Sequence, residues 1–318
     1  MGVVLSLLLG AAAIFGACLA LGGPAEPPPM ASISDPFRSL DLADLPPLAH
    51  YRARDGAQLA YRAYRPAAGA SSGRIVLVHG SSASSVSMHA VAREFATAGF
   101  AVFALDMRGH GDSGDHGHIA YVGQLEDDLE DFVREVAIAA PRTLVGFSAG
   151  GGFALRFAGD TRQKIFDNYL LLAPFISQDA PSYRPDSGGW VRVGVVRYLA
   201  IALCNAVGLR AFNDLPVTRF ALSEQGKKFL TAQYSYSLAE NFRPLRDYRA
   251  NIRAIGQPMR VLVGVEDEAF FADRVAGIFR AEGKEIPVTL LPGIGHATLV
   301  LDANAIQFQI SAVRAMEK

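Results

Sequence analysis

Ser148 stands in Gly146-Phe147-Ser148-Ala149-Gly150, a G-x-S-x-G pattern. A serine placed this way can serve as a nucleophile toward a carbonyl, provided the backbone turns sharply enough to free its hydroxyl. The flanks predict such a turn. Upstream, Arg142-Thr143-Leu144-Val145 is a short apolar and β-branched run that reads as a buried strand. Downstream, Gly150 to Ala158 reads as a helix opening on small residues. Gly146 and Gly150 let the turn tighten where a Cβ would clash. The helix N-terminus then aims backbone N–H groups and a positive dipole end at the place where an oxyanion would develop.

Three further segments end in groups that this chemistry needs. A strand predicted over 286–291 is followed by Gly293-Ile294-Gly295-His296, and His296 is the expected general base. A strand predicted over 259–264 ends in Glu266-Asp267-Glu268. Asp267 is the expected acid that orients the imidazole, with Glu266 the nearest rival and Asp179 the next. The chain order Ser148, Asp267, His296 is one in which this constellation is known to occur. A strand predicted over 74–79 ends in His79-Gly80, and the small polar loop Ser81-Ser82-Ala83-Ser84-Ser85 follows. The backbone N–H groups of Ser81 and Ala149 are the expected oxyanion hole. The His79 side chain reads as a structural histidine bonding that loop. His50, His89, His110, His116 and His118 lie away from any strand that could bring them to Ser148, and the last three crowd one loop. That loop has no convincing metal-ligand spacing.

Taken together, these pieces resemble the α/β-hydrolase fold superfamily, in the branch of lysophospholipase-like and monoacylglycerol-lipase-like enzymes that includes the serine aminopeptidase-like domain. The matching stretches are Val78-His79-Gly80-Ser81, Asp106 to Gly114, Gly146 to Gly150, Gly264-Val265-Glu266-Asp267 and Gly295-His296, spread over about residues 50 to 318. The resemblance implies a mostly parallel, doubly wound α/β sheet with helices on both faces and a helical cap inserted after the sixth strand. It implies that Asp106, Arg108 and Ser113 brace the active-site face, as do His79, Gly80, Gly146 and Gly150. It also implies hydrolysis of a carboxylic ester through an acyl-enzyme, with no cofactor. Ala149 stands where the family often has a larger residue, which keeps the N–H but opens the pocket floor. The Ser-rich loop lacks the Gly-Gly run of hormone-sensitive-lipase-like esterases. A serine at 148 argues against the dehalogenases and epoxide hydrolases of this fold, which use an aspartate there.

The elements that must position these groups alternate along the chain. A hairpin turning at Asp55-Gly56 opens the domain at about residue 49. Strands are then expected near 74–79, 101–106, 142–147, 168–173, 259–264 and 286–291, with helices near 86–98, 121–139, 149–159, 270–282 and 298–316. Residues of about 176–255 show no strand-like run and are too long for a plain crossover, so they read as a helical cap. Within it, Trp190 to Phe212 is apolar enough to line an acyl pocket or touch a membrane.

The leader 1–23 is almost uninterrupted in its apolar character from Val3 to Gly22. At ~1.5 Å per residue, ~20 helical residues just span a bilayer core, so the segment reads as a membrane anchor, or as a signal segment if cleaved and the protein exported. Residues 24–48 read as a Pro-rich linker, extended over Pro24-Ala25-Glu26-Pro27-Pro28-Pro29-Met30 and irregular up to about Leu48. The remaining 49–318 is the hydrolase domain. A formal net charge of -1 gives no footing for nucleic acid. Two cysteines, Cys18 and Cys204, make no disulfide framework. No G-x-G-x-x-G in a suitable setting calls for a dinucleotide. The expected partner is a small-molecule ester or lipid, with the membrane met through the leader. Aminopeptidase, thioesterase or acyltransferase activity of the same fold is the alternative, and a tethered binding protein on a hydrolase scaffold is the non-enzymatic one.

Overall fold

The computed structural model describes residues 2–67 and 72–317 and, within them, every side chain except those of 2–5, 7 and 34. The chain opens with α1 (Gly2–Leu21) and α2 (Ala31–Ser34), then a 3-10 turn over Asp35–Ser39. There follow β1 (Leu48–Arg52), β2 (Gln58–Tyr64), β3 (Arg74–Val78), α3 (His89–Thr97), β4 (Ala101–Leu105), α4 (Gln124–Glu135), β5 (Arg142–Phe147), α5 (Ala149–Ala158) and β6 (Asn168–Leu172). An insert carries β7 (Val191–Val193), α6 (Val195–Ala206), β8 (Pro216–Phe220), β9 (Gln233–Ser235), α7 (Tyr236–Asn241) and α8 (Tyr248–Ala254). The chain then returns through β10 (Met259–Gly264), α9 (Val275–Ala281), β11 (Val288–Leu291) and α10 (Ala303–Arg314).

Eight strands form one sheet in the order β1-β2-β4-β3-β5-β6-β10-β11. The β1–β2 and β2–β4 pairs are antiparallel and all the others are parallel. Parallel strands covered on both faces need apolar side chains on both, which explains their continuous apolar runs. In β3, β5 and β6, every residue but the first of β3 and of β5 is buried. The chain passes from β3 to β4 on one side and later to β5 on the other, so the sheet reverses its winding direction at β3. Ligands of open α/β sheets bind beyond the carboxyl ends of the strands at such a reversal. Ser81, Ser148, Asp267 and His296 all follow the carboxyl ends of parallel strands, which places them along one edge.

Two regions differ from expectation. The insert after β6 holds helices, and it also contains a three-stranded antiparallel sheet, β7-β8-β9, that periodicity did not reveal. β7 and β9 have three residues each and β8 begins at Pro216, so pairing rather than local propensity makes them strands. The linker 24–48 is not irregular beyond Met30, since α2 and the 3-10 turn lie within it. The Met30 N–H donates to Ala221 O at 2.9 Å, Ile33 is buried in the main core, and Asp44 Oδ1 lies 3.1 Å from His89 Nε2. Its prolines end at Pro29, apart from Pro36 and the Pro46-Pro47 pair, and the apolar residues Ile33, Phe37 and Leu40 recur at helical spacing.

The leader is helical over Gly2–Leu21, and its C-terminal end is built into the insert. Leu19 joins Ala200, Ile201, Val217 and Tyr236 in a separate apolar cluster. Arg197 on α6 donates from Nε to Leu19 O (2.7 Å), from Nη2 to Ala20 O (2.7 Å) and from Nη1 to Pro216 O (2.9 Å). A guanidinium at a helix C-terminus satisfies carbonyls that have no intrahelical partner and meets the negative end of the dipole. Among the described residues, no helix is long and apolar enough to cross a membrane.

Arg197→Ala removes three charge-assisted hydrogen bonds, each contributing about 1.5–3 kcal/mol. The expected result is amide exchange in residues 18–22 faster by at least about tenfold, with protection of β3 and β5 unchanged, read by hydrogen-exchange mass spectrometry.

Candidate active site

Ser148 sits at the junction of β5 and α5 with φ 54° and ψ -116°, a conformation that side chains rarely adopt. Close packing of the turn enforces it. A Cβ on Gly146 would come within 2.2 Å of Gly150 O, and one on Gly150 within 2.3 Å of His79 O. Only glycine fits either place. The turn is pinned further by the Ser148 N–H, which donates to Leu172 O at 2.9 Å, and by Ser148 O, which accepts from Gly152 and Phe175 N–H at 3.0 Å each. This turn projects the hydroxyl toward the loop after β11.

His296 Nε2 lies 3.0 Å from Ser148 Oγ, and His296 Nδ1 lies 2.8 Å from Asp267 Oδ2. All three side chains are buried. With Nδ1–H donating to the carboxylate, Nε2 is left to accept the serine proton. Asp267 Oδ1 accepts from the Ala269 and Phe270 N–H groups at 2.8 Å each, so both carboxylate oxygens are engaged. The rivals are elsewhere: Glu266 and Asp179 are exposed. Burial alone would push the His296 imidazole down, but the charge of Asp267, its hydrogen bond and the charge of Glu268 outweigh that and hold the pKa above its ordinary value.

Several supporting groups had no signal in the sequence. Glu268 Oε2 accepts the His296 N–H at 2.9 Å, fixing the loop that carries the imidazole. Phe147 and Phe270 flank the ring, with centroids 4.9 and 5.3 Å away. The insert grips the loop after β3 through Trp190, Tyr234 and Thr231. Trp190 Nε1 donates to Ser81 Oγ at 2.8 Å. Tyr234 Oη accepts the Ser82 N–H at 2.6 Å and lies 2.6 Å from His110 Nε2, to which it donates. A Ser-rich loop between strands gives no hint that aromatic side chains about 110 and 150 residues further on would hold it.

The supporting residues expected from the sequence occupy structural positions. His79 is buried, with Nδ1 2.7 Å from Gly80 O and Nε2 accepting the Met107 N–H at 3.2 Å. Desolvation holds its pKa below the ordinary histidine value. Asp106 accepts the N–H groups of Ser85 and Asp112, Arg108 makes a two-pronged pair with Asp128, and Ser113 Oγ accepts the Ala60 N–H. The loop after β3 is thus braced from below by Asp106 and from above by Trp190 and Tyr234. Among the described residues, neither the Ser81 nor the Ala149 N–H has an intramolecular partner. Both Ser81 and Ala149 line a cavity of about 410 Å³ that also exposes Ser148 and His296. Its walls come mostly from the insert and are largely apolar, with Val195, Leu199 and Phe220 among them. No group of three or more His, Cys, Asp or Glu among the described residues is arranged to hold a metal.

A mostly parallel sheet with a serine on the turn after β5 and an insert over its carboxyl edge defines an α/β-hydrolase. The chain belongs to the family described as serine aminopeptidase, S33, whose family model matches residues 69–300. A monoacylglycerol lipase of Mycolicibacterium smegmatis is 41% identical over 91 residues, which cover 27% of this chain and 32% of that protein. The match therefore spans about a third of that relative's length. Among solved structures, the Saccharomyces cerevisiae monoglyceride lipase superposes with a TM-score of 0.64 at 16% identity, covering 87% of this chain and 96% of its own. A membrane phospholipase A described as a bacterial virulence factor superposes with a TM-score of 0.59 at 19% identity and covers 100% of this chain and 98% of its own.

The raised pKa of His296 has a checkable sign. A pKa held up by Asp267 keeps the imidazole protonated to a higher pH than usual. By NMR, the His296 ring should titrate above ~6.5, the ordinary histidine value. In Asp267→Asn, burial acts with little opposition, so the midpoint should fall below the wild-type one. An unmoved midpoint would mean that the carboxylate does not act on the ring.

Proposed function

We propose that this protein hydrolyses a hydrophobic, lipid-like carboxylic ester with Ser148 as nucleophile, His296 as general base and acid, and Asp267 as the group that orients and stabilises the imidazolium. The observation that carries the reading is the unbroken chain Ser148–His296–Asp267 at the floor of an apolar cavity. Ser148 Oγ attacks the ester carbonyl carbon as His296 Nε2 takes its proton. The carbonyl oxygen becomes an oxyanion, held by the Ser81 and Ala149 N–H groups. Collapse of the tetrahedral intermediate breaks the bond to the alcohol oxygen, which receives the proton from His296. A water then attacks the acyl-enzyme by the same route, regenerating Ser148 and releasing the acid.

The cavity's chemistry favours an ester over a peptide. An aminopeptidase needs a free carboxylate to bind the substrate ammonium. Of the acidic residues of the insert, only Asp186 lines the cavity, and it is paired with Arg192. Glu240 is taken up by Tyr198 and Arg246. We also propose that the leader tethers the enzyme to a membrane. Leu8, Leu9 and Ile14 of α1, and Val196, Leu199, Leu203 and Val207 of the adjoining end of the insert, are exposed apolar side chains, which favours contact with lipid over water.

Purified enzyme should hydrolyse p-nitrophenyl esters, with kcat/KM rising from acetyl to longer acyl chains as the cavity fills. Ser148→Ala should lower kcat by about 10⁴ or more while KM changes little. Full turnover in that variant would refute the nucleophile. In vesicle flotation the full chain should rise with the lipid, and replacing Leu8, Leu9 and Ile14 by Ser should leave it in the bottom fraction.

A further inference from the structure

A second cavity, about 180 Å³ in volume, reaches Ser148. It shares Ser81, Ser148, Trp190 and His296 with the larger one and otherwise has its own walls. Four of those wall residues, Ile33, Phe37, Leu40 and Leu42, come from the segment before β1. They lie before residues 69–300, the stretch that the family model matches.

The cavity's chemistry is neutral and apolar. Apart from His296 it has no titratable lining residue. Its serines are largely engaged elsewhere. Ser82 Oγ donates to Thr231 O at 2.7 Å, Ser87 Oγ donates to Ser84 O at 2.8 Å, and Ser81 Oγ accepts from Trp190. An apolar cavity of ~150 Å³ is enough to hold benzene, so this one has room for an aromatic ring or a short alkyl group. An ester has two substituents, one on each side of the scissile bond, and they must leave the reacting carbon in different directions. Two cavities that meet only at the nucleophile, the base and their immediate neighbours fit those two substituents.

We propose that residues 33–42 form a second substrate subsite, which takes an apolar alcohol group of ring or short-alkyl size while the larger cavity takes the acyl chain. This rests on the ester-hydrolase reading above. It makes the segment before the hydrolase domain a determinant of specificity, and it predicts a natural substrate that is apolar on both sides of the scissile bond. The segment is well placed for the role, since Met30 and Asp44 tie it down at its two ends and Ile33 buries its middle.

The test uses the full chain and two ester series followed by pH-stat: butyrate esters of methyl, butyl and benzyl alcohol, and methyl esters of acids of increasing length. Wild type should prefer benzyl over methyl butyrate. Leu40→Trp, which fills the small cavity, should lower the benzyl-to-methyl ratio of kcat/KM by about tenfold or more while keeping the slope of the acyl series. Leu199→Trp, in the large cavity, should flatten the acyl series and keep the alcohol ratio. Phe37→Ala enlarges the small cavity and should raise kcat/KM for the naphthylmethyl ester relative to benzyl, so the test does not hang on one variant. The proposal is overturned if Leu40→Trp and Phe37→Ala leave the alcohol ratios unchanged, or if they alter the acyl series instead. A wild type that hydrolyses no member of either series overturns the ester reading as well. Activity with unmoved alcohol ratios overturns the subsite alone.

Discussion

The turn at Ser148 cannot relax without moving the centre of the sheet. Its φ of 54° costs on the order of 1–3 kcal/mol for a residue with a side chain, and the conformation persists because three backbones meet there. The end of β3 presses on Gly150, Gly150 presses on Gly146, and Leu172 of β6 accepts the Ser148 N–H. The serine is therefore held by the three strands at the middle of the sheet and not by its own loop. Burial of those strands, whose residues are almost all inaccessible, supplies the energy that keeps the turn strained. The carboxyl ends of β3, β10 and β11 in the same sheet fix the positions of the loops bearing Ser81, Asp267 and His296. The geometry between Ser148 and His296 is thereby set by the register of the sheet.

Everything above that edge is enclosure. The insert is anchored to the loop after β3 by Trp190 and Tyr234, so the groups that shape the cavity also steady the backbone that would hold an oxyanion. The N-terminal segment adds a further wall, and the leader helix packs on α6 through Leu19 and Arg197. The N-terminal region and the insert, remote in sequence, thus meet around one site: the segment before β1 beside Ser148, the insert over it, and the leader on the outside of the insert. Leu199, on the α6 helix against which α1 packs, lines the larger cavity.

Most of the sheet was legible because buried parallel strands leave a plain mark. β3, β4, β5, β6 and β10 fall within a residue of the apolar runs that announced them. Ser148, Asp267 and His296 were legible for a related reason, since each lies on the loop or turn that directly follows such a run. The acidic turn after β10 offers Asp267 and Glu266 side by side. The structure adds that one faces the imidazole and its neighbour faces solvent. What the sequence left hidden depends on contacts between distant segments. β7, β8 and β9 exist only by pairing with each other. Glu268 matters through a backbone N–H on another loop, and Tyr234 through a hydroxyl 2.6 Å from an amide some 150 residues earlier in the chain. The prolines of 24–48 point to an irregular linker, whereas Ile33, Phe37 and Leu40 carry the spacing of one helical face.

The central claim is that Ser148 is poised as a nucleophile by His296 and Asp267. Intact-mass and peptide mass spectrometry after brief exposure to an alkyl fluorophosphonate tests it most directly, because the reagent needs an activated serine and a usable oxyanion site but no knowledge of the substrate. The account predicts one adduct per chain, located on Ser148, formed far more slowly in His296→Gln. A folded protein that gains no adduct, or gains it on another serine, would contradict it.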